Sequence, residues 1–168
     1  MDLILWRHAE AFDGVDDDAA ADLRRRLTPK GEKQARRMAE WLNRLLPDST
    51  RVLASPAERC QQTAQALGRR FLTREPLGPD GSVGDLLALA RWPLRREPVL
   101  VVGHQPVLGM TASMLMAGAG VVESGRDPGR HATPSWAVRK GAVWWLRHRE
   151  RDGIGEVVLA AVCSPEML

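Results

Sequence analysis

The sequence predicts an α/β fold with a mostly parallel central sheet and helices on both faces. Three short apolar runs, at residues 2–6, 51–54 and 99–102, have the length of buried strands. Segments with helical spacing follow the second and third runs, and strands that alternate with helices favour a parallel sheet covered on both sides. Ligands bind such sheets beyond the carboxyl ends of the strands. The residues just after each run are therefore the first candidates for function.

The first long helix is expected to begin at Thr28-Pro29 and to end before Pro47. A threonine can cap a helix, and proline is tolerated at the first helical position. Helical spacing gives this segment one apolar face, which consists of Ala35, Met38, Ala39, Leu42, Leu45 and Leu46. The polar segment 13–26 before it is expected to be a surface loop with a helical turn.

The second strand leads into a second predicted helix. Ser55-Pro56-Ala57-Glu58 has the pattern of a capping box, with serine as the cap and glutamate three positions later. We expect one face of this helix to carry the apolar residues Ala57, Cys60, Ala64, Leu67 and Phe71. Residues 72–81 are rich in proline and glycine and are expected to be a connection, and the pair Ser82 and Asp85 predicts the next helix start.

The last third of the chain reads as one more helix and a set of strands. Helical spacing returns from Val107 to Met116, and the glycine-rich stretch 118–134 is expected to be a long loop. Residues 136–140, 142–148 and 156–162 are predicted strands, separated by turn signals. The last two are expected to form a hairpin around Asp152-Gly153.

Length and composition indicate an ordinary globular protein. The 168 residues fit one domain spanning 1–168. The content of 44% hydrophobic and 27% charged residues is typical of globular proteins, and the net charge of +3 is mild. Arginines greatly outnumber lysines, which favours two-pronged recognition of phosphate or carboxylate. A nucleic-acid binder is disfavoured because the arginines are spread along the chain and aromatics make up 5%.

Several classes of protein are excluded by what the sequence lacks. Cys60 and Cys163 are far apart and do not make a disulfide framework in a chain of this size. The N-terminus shows no signal-peptide pattern, and no apolar run has the length of a membrane-spanning helix. We therefore expect a cytoplasmic protein that does not bind membranes.

Each apolar run leads to a residue suited to phosphate chemistry: Arg7-His8 after the first, Arg59 after the second and His104 after the third. A histidine with an ordinary pKa of about 6.5 is mostly neutral at pH 7 and can act as a nucleophile. Arginines donate paired hydrogen bonds to phosphate oxygens, and His104 could donate another. If the three strand ends converge, they form a site for transferring a phosphoryl group through phospho-His8.

Each of these residues also has a simpler interpretation. Alone, Arg7-His8 would be a surface feature, Arg59 a solvated helix residue and His104 a turn residue. A metal site built from His8 and His104 with Glu10 or Asp13 is disfavoured because two neighbouring arginines would repel a cation. We therefore expect neither a metal nor a cofactor.

The motifs resemble those of the histidine phosphatase superfamily, which has the phosphoglycerate-mutase-like fold. The resemblance rests on Arg7-His8-Ala9-Glu10, on Ser-Pro-x-x-Arg-x-x-x-Thr from Ser55 to Thr63, and on Val102-Gly103-His104. It spans nearly the whole chain but is weak after residue 118. It implies a three-layer α/β/α architecture in which His8 is the phosphorylated nucleophile and Arg7, Arg59 and His104 complete the phosphate pocket.

Within that superfamily the chain is most similar to the small SixA-type protein phosphohistidine phosphatases. The short length, the spacing Asp22-x-x-Arg25-x-Leu27-Thr28-x-x-Gly31 and the late Cys163-Ser164-Pro165 all fit this branch. The resemblance implies a metal-independent phosphatase for phosphohistidine in proteins. Arg25, in the segment expected to face the substrate, and Ser55 are weaker candidates for substrate binding.

The chain departs from the mutases and sugar-phosphate phosphatases of the superfamily in two places. These enzymes carry an asparagine shortly after the first motif, where this chain has Ala11-Phe12-Asp13-Gly14-Val15. They also carry a glutamate as general acid, and the matching region 77–81 offers only Asp80; Glu10 is the other candidate. An alcohol leaving group needs an acid more than an imidazole does, so a weak acid favours a P–N bond over a P–O bond.

Two rival functions remain open from the sequence. One is a phosphatase for a small phosphorylated metabolite or nucleotide. The other is a module that binds a phosphorylated ligand without turning it over. Hydrolysis of an aryl phosphate that is lost in His8→Ala would separate an enzyme from a binding module.

Overall fold

The computed structural model of the chain describes residues 1–14, 18–117 and 135–168. The predicted loop at 118–134 lies outside the described residues. The strands form one six-stranded sheet in the order β3-β2-β4-β1-β5-β6. Their bounds are β1 Asp2–Arg7, β2 Arg51–Ala54, β3 Phe71–Thr73, β4 Val99–Gly103, β5 Val143–Arg151 and β6 Ile154–Cys163.

The sheet is mixed. Strands β3, β2, β4 and β1 pair in parallel, whereas β5 and β6 add to the edge of β1 as an antiparallel hairpin. The predicted parallel core and the predicted hairpin are both present. Because β1 and β4 are parallel neighbours and Arg7 pairs with Gly103, the residues that follow the two strands begin side by side.

Five helices flank the strands among the described residues: α1 Ala19–Leu23, α2 Pro29–Leu45, α3 Glu58–Gln65, α4 Val83–Ala90 and α5 Val107–Ala117. Thr28 caps α2 through its side chain, as predicted. The predicted capping box of Ser82 and Asp85 is present at the start of α4. Short 3₁₀ turns lie at Glu75–Leu77 and Pro165–Met167.

Side-chain alternation along the strands divides the core into two layers. Ile4 and Trp6 of β1 face one side, where they pack with Met38 and Leu42 of α2 and with Cys60 of α3. Leu3 and Leu5 face the other side, where they pack with Leu86 of α4 and Leu108 of α5. Helices on both faces of the sheet give the three-layer α/β/α architecture.

Leu45, which was expected on the apolar face of α2, is 52% exposed, and three further local predictions are wrong. The helix after β2 ends at Gln65, so Phe71 belongs to strand β3 rather than to a helix face. Gly68 has a positive φ of 66°, which turns the chain from α3 towards β3. Residues 136–140 form no strand. They form an irregular segment in which the Val138 carbonyl accepts from Arg7 and the Trp136 carbonyl accepts from Gln105.

The third of these predictions is the capping box at Ser55. The cap residue of α3 is Ala57, with no side-chain hydrogen bond, and the helix begins at Glu58. The Ser55 hydroxyl accepts from the Ala57 amide at 3.2 Å, but it is also bonded to a histidine from another strand end. The hydroxyl keeps one local partner and gains a long-range one, and α3 begins three residues later without a capping box.

Candidate active site

The end of β1 is held in place by the segment that precedes β5. The Arg7 amide donates to the Ala142 carbonyl at 3.0 Å, and the Gly141 amide donates to the His8 carbonyl at 3.0 Å. Gly141 has a φ of 77°, and a Cβ there would lie 2.8 Å from Pro165 Cγ, so the turn requires glycine. These contacts fix the backbone from which Arg7 and His8 project.

His8 is buried and its tautomer is set by a backbone carbonyl. Its Nδ1 lies 2.8 Å from the carbonyl oxygen of Ala9. A carbonyl can only accept, so the proton is on Nδ1 and the lone pair is on Nε2. Burial, followed by the positive charges of Arg59, Arg7 and Arg25, lowers the pKa of His8 to about 3, although the Ala9 hydrogen bond raises it. His8 is therefore neutral at pH 7, with Nε2 available.

The backbone after His8 is tied to α3. The Ala9 amide donates to Thr63 Oγ1 at 3.1 Å, and that hydroxyl donates to the carbonyl of Arg59 at 2.6 Å. Arg59 lies in the first turn of α3 and is only 3% exposed. Thr63 thus couples the position of the His8 segment to that of Arg59.

His104 lies directly after β4, and its ring centroid is 5.3 Å from that of His8. Its Nε2 is 2.7 Å from the Ser55 hydroxyl, and its Nδ1 is 3.4 Å from Nη2 of Arg59. Burial, then the positive charge of Arg59, lowers the pKa of His104 to about 3, and protonation of His8 in acid would oppose that of His104 as well. Because arginine can only donate, Nδ1 is the acceptor here and Nε2 carries the proton.

The two arginines share an unusual feature. Among the described residues, the only buried side-chain nitrogen or oxygen atoms without a hydrogen-bond partner are Nε of Arg7 and Nε of Arg59. Arg7 donates from Nη1 to the Val138 carbonyl at 2.7 Å, and Arg59 donates from Nη1 to the Asp22 carbonyl at 2.6 Å. Each guanidinium is therefore anchored at Nη1 and leaves Nε unsatisfied. Buried donors without partners are costly in a folded protein, which points to an anionic ligand.

Asp22 and Arg25 extend this cluster from the segment around α1. Asp22 Oδ2 accepts from Arg59 Nη2 at 2.8 Å, and its Oδ1 accepts from Arg25 Nε at 2.8 Å. Arg25 also donates from Nη1 to the Phe12 carbonyl at 2.9 Å. Burial alone raises the pKa of Asp22, but hydrogen bonds from Arg59 and Arg25 outweigh it and hold the pKa below its usual range.

The two carboxylates considered as general acids lie in different surroundings. Glu10 accepts from Lys30 Nζ at 2.9 Å and from the Thr28 hydroxyl at 3.0 Å. The hydrogen bond from Lys30, and then that from Thr28, lowers the pKa of Glu10, which makes its carboxyl a poor proton donor. Asp80 instead lines a surface cleft of about 610 Å³. The other acidic residues that line this cleft are Asp18, Asp22, Glu75 and Asp85.

The structure therefore brings together four of the residues that the sequence analysis singled out. Arg7, His8, Arg59 and His104 lie at the carboxyl ends of β1 and β4 and the start of α3. Ser55 binds His104, Arg25 reaches the cluster through Asp22, and Glu10 is paired with Lys30. In the described part of the chain, no three histidine, cysteine, aspartate or glutamate side chains are grouped to hold a metal ion. No helix there is long and apolar enough to cross a membrane.

Comparison with known proteins agrees with this arrangement. Residues 3–77 match the model of the histidine phosphatase superfamily, branch 1. The chain is 33% identical, over 127 residues, to the phosphohistidine phosphatase SixA of Escherichia coli strain K12, covering 70% of this chain and 76% of that protein. The chain belongs to the histidine phosphatase superfamily. The matched residues include the Arg7-His8 motif and Arg59, whereas His104 lies beyond residue 77.

Solved SixA structures match this member of the superfamily along its whole length. SixA from Nakamurella multipartitia is 27% identical with a TM-score of 0.70, and the match covers 98% of this chain and 95% of that one. The protein histidine phosphatase SixA complexed with tungstate is 27% identical with a TM-score of 0.66, with 99% of each chain covered. The phosphoglycerate-mutase-like fold expected from the sequence is confirmed.

Sequence reasoning missed several residues that shape the site. Asp22 stands out in the sequence only as part of a family spacing, and nothing in its local sequence indicates that it binds Arg59. The carbonyl of Val138 could not be found at all, because backbone groups carry no sequence signal. Thr63 is visible as the last residue of the Ser-Pro-x-x-Arg-x-x-x-Thr pattern, without an assigned contact.

Proposed function

We propose that this protein is a phosphatase that transfers a phosphoryl group to Nε2 of His8 and then to water, with phosphohistidine in proteins as its substrate. The observation that carries the proposal is the pair of buried, unpartnered Nε donors on Arg7 and Arg59 beside a neutral histidine with a free Nε2. Two guanidinium edges suit the oxygens of one phosphoryl group. The histidine supplies the nucleophile.

In the first step the Nε2 lone pair of His8 forms a bond to phosphorus as the bond from phosphorus to the leaving nitrogen breaks. Negative charge is spread over the equatorial oxygens in the transition state. Arg7 and Arg59 meet that charge with donors already in place, and donors held in this way contribute more to the rate of many enzymes than any other single effect. The Nδ1–H bond to Ala9 stabilises the positive charge that develops on the His8 ring.

In the second step water attacks phosphorus and the bond to His8 Nε2 breaks. The products are inorganic phosphate and neutral His8, which takes back the electron pair of the broken bond. The proton lost by water goes to the phosphate product or to solvent. The enzyme returns to its starting state without a metal or a cofactor.

His104 can act as a further donor if its proton moves. In the structure Nδ1 accepts from Arg59 and Nε2 donates to Ser55. A hydroxyl can donate as well as accept, so Ser55 can support the other tautomer, in which Nδ1–H donates to a phosphoryl oxygen. Ser55 is thus proposed to set the tautomer of His104 rather than to touch the substrate.

The surroundings of the carboxylates support a P–N substrate. Glu10 is held ionised by Lys30, and Asp22 is held ionised by Arg59 and Arg25, so neither is suited to protonate an alkoxide. An imidazole whose second nitrogen is protonated leaves as a neutral molecule and needs less help. General acid catalysis contributes typically about 10²- to 10⁴-fold, and an alkyl phosphate would gain none of it from Glu10 or Asp22. Asp80, in the cleft that Asp22 also lines, is the carboxylate left for that role.

The test compares two peptides of one sequence, one with phosphohistidine and the other with phosphoserine at the same position. We expect kcat/KM to be at least about 100-fold higher for phosphohistidine, because the alkoxide of serine is a poor leaving group unless a general acid protonates it. A small alkyl phosphate and p-nitrophenyl phosphate serve as further substrates. The matched control is His148→Ala, because His148 lies on the β5 strand, away from the site.

Each rival function predicts a different outcome. A preference for the small alkyl phosphate over both peptides would support a metabolite phosphatase instead. Tight binding of inorganic phosphate without turnover of any of the four substrates would support a binding module. Hydrolysis that persists in His8→Ala would contradict the phosphohistidine intermediate.

A further inference from the structure

Asp22 makes contacts that the proposed reaction does not itself require. Both terminal nitrogens of the Arg59 guanidinium bind this one residue: Nη1 donates to its backbone carbonyl at 2.6 Å and Nη2 to its carboxylate at 2.8 Å. The carboxylate also binds Arg25, with Nη2 of Arg25 at 2.7 Å from Oδ1. The side chain of Arg59 is 3% exposed and that of Asp22 is 34% exposed.

The planar geometry of the Arg59 guanidinium determines which of its edges Asp22 occupies and which edge it leaves open. A guanidinium is planar and offers five N–H donors in a rigid fork. Asp22 occupies the end edge, formed by Nη1 and Nη2, and leaves the side edge, formed by Nε and the second hydrogen of Nη2. That side edge holds the unpartnered Nε and lies beside Nδ1 of His104.

We infer that Asp22 is a positioning residue, which holds Arg59 by its end edge so that the side edge faces the phosphoryl group. This inference rests on the proposed function, since it assigns a role to Arg59 in binding phosphate. Asp22 itself does not contact the reacting atoms. Its carboxylate also lies between Arg59 and Arg25 and offsets their mutual repulsion.

An opposite role for Asp22 follows from the same distances and is less consistent with the site. A carboxylate on an arginine could be an internal competitor that phosphate must displace. In that case it would occupy the edge that phosphate needs, and Nε would not be left free. The backbone carbonyl of Asp22 also binds Arg59, and a neutral carbonyl is not a substitute for an anion. The two roles predict changes of opposite sign when the carboxylate is removed.

The experiment measures the binding of inorganic phosphate and of orthovanadate by calorimetry to the wild-type chain and three variants. Asp22→Ala removes the carboxylate, and Asp22→Asn keeps an oxygen that can accept from Arg59 but removes the charge. Glu75→Gln is the matched control, because Glu75 lines the same cleft without a described contact to an arginine. Helix α1 buries no residue, so we expect the variants to fold, and thermal unfolding checks this.

The expected result is a graded loss. Loss of one hydrogen bond to a charged group weakens binding by about 10- to 100-fold in Kd. Asp22→Ala should therefore raise the Kd for both anions by at least about tenfold. Asp22→Asn should show a smaller rise, and Glu75→Gln should bind as the wild type does. The ¹⁵Nε–¹H signal of Arg59 should shift on addition of phosphate in the wild type and lose that response in Asp22→Ala.

Two results would overturn the inference. Tighter anion binding in Asp22→Ala would make Asp22 a competitor. Unchanged binding with a lowered midpoint of thermal unfolding would give it a purely structural role. Failure of the proposed function has a separate signature, because the wild-type chain itself would then leave the phosphohistidine peptide unhydrolysed, whatever its affinity for phosphate.

Discussion

His8 and His104 are both buried, and burial is the main reason why the pKa of each is lowered to about 3. Their hydrogen bonds, however, differ in kind. The Nδ1 of His8 faces a backbone carbonyl, which can only accept, so one tautomer is fixed. The Nε2 of His104 faces the Ser55 hydroxyl, which can accept or donate, so either tautomer has a partner. A fixed lone pair suits a nucleophile, and an exchangeable proton suits a group that binds an oxygen.

The largest expected effect comes from removing His8, the histidine whose tautomer is fixed. His8→Ala takes away the nucleophile, so we expect hydrolysis of a phosphohistidine peptide to fall by roughly 10⁴-fold or more. Transfer of phosphate from the peptide to the protein, followed by mass spectrometry, should place the label on His8 in the wild type and nowhere in the variant. Wild-type rates in the variant would show that the two histidines have been assigned the wrong roles.

Removal of His104 should lower the rate of hydrolysis less than removal of His8 does. His104→Ala removes one proposed donor to the transition state, which is worth about 10²- to 10³-fold in kcat. Because His8 is intact, the phosphoenzyme should still form in a single turnover, but slowly. If the variant forms no phosphoenzyme even after long incubation, His104 is required for the nucleophilic step itself and is more than a donor to the transition state.

Acid should destabilise the protein through both histidines. Their folded pKa values of about 3 lie below the ordinary 6.5, so the unfolded chain takes up protons first as the pH falls. Above pH 6.5 neither group affects stability, and between pH 6.5 and 3 each lowers the free energy of unfolding by about 1.4 kcal/mol per pH unit. Urea unfolding of wild type and His8→Ala at several pH values measures the difference. Parallel pH profiles for the two proteins would contradict the low pKa of His8.

The smallest effect tests the hydroxyl that distinguishes His104. Ser55→Ala leaves Nε2 without its oxygen partner and should lower kcat by roughly 2- to 10-fold, the range for one ordinary hydrogen bond. Cys60→Ala is the matched control, because Sγ of Cys60 lies 3.5 Å from the same nitrogen and its thiol pKa is raised by burial to about 12. Equal losses in the two variants would show that packing, rather than the hydroxyl, matters at this position.

A contrast between local and distant partners explains what the sequence could predict. Strands β1, β2 and β4 were predicted almost residue by residue, because their apolar runs are buried on both faces of the sheet. The caps at Thr28 and Ser82 were also predicted, since each bonds to its own helix. These features depend on neighbours in the chain or on burial alone, and both can be read from a pattern.

Features that depend on distant partners could not be predicted in this way. Ser55 has the sequence of a helix cap, but its hydroxyl binds His104, 49 residues away. The segment at 136–140 has the composition of a strand, but its Val138 carbonyl binds Arg7 across 131 residues. Asp22 lies in a short helix with no buried residue, and its role depends on Arg59, 37 positions later.

The most direct test of the account is a crystal structure of the chain with orthovanadate bound. We expect vanadium bonded to Nε2 of His8, its oxygens within hydrogen-bond distance of Nε of both Arg7 and Arg59, and Asp22 still on the far edge of Arg59. Vanadate bonded to Nδ1 of His8, or bound away from both Nε atoms, would contradict the account.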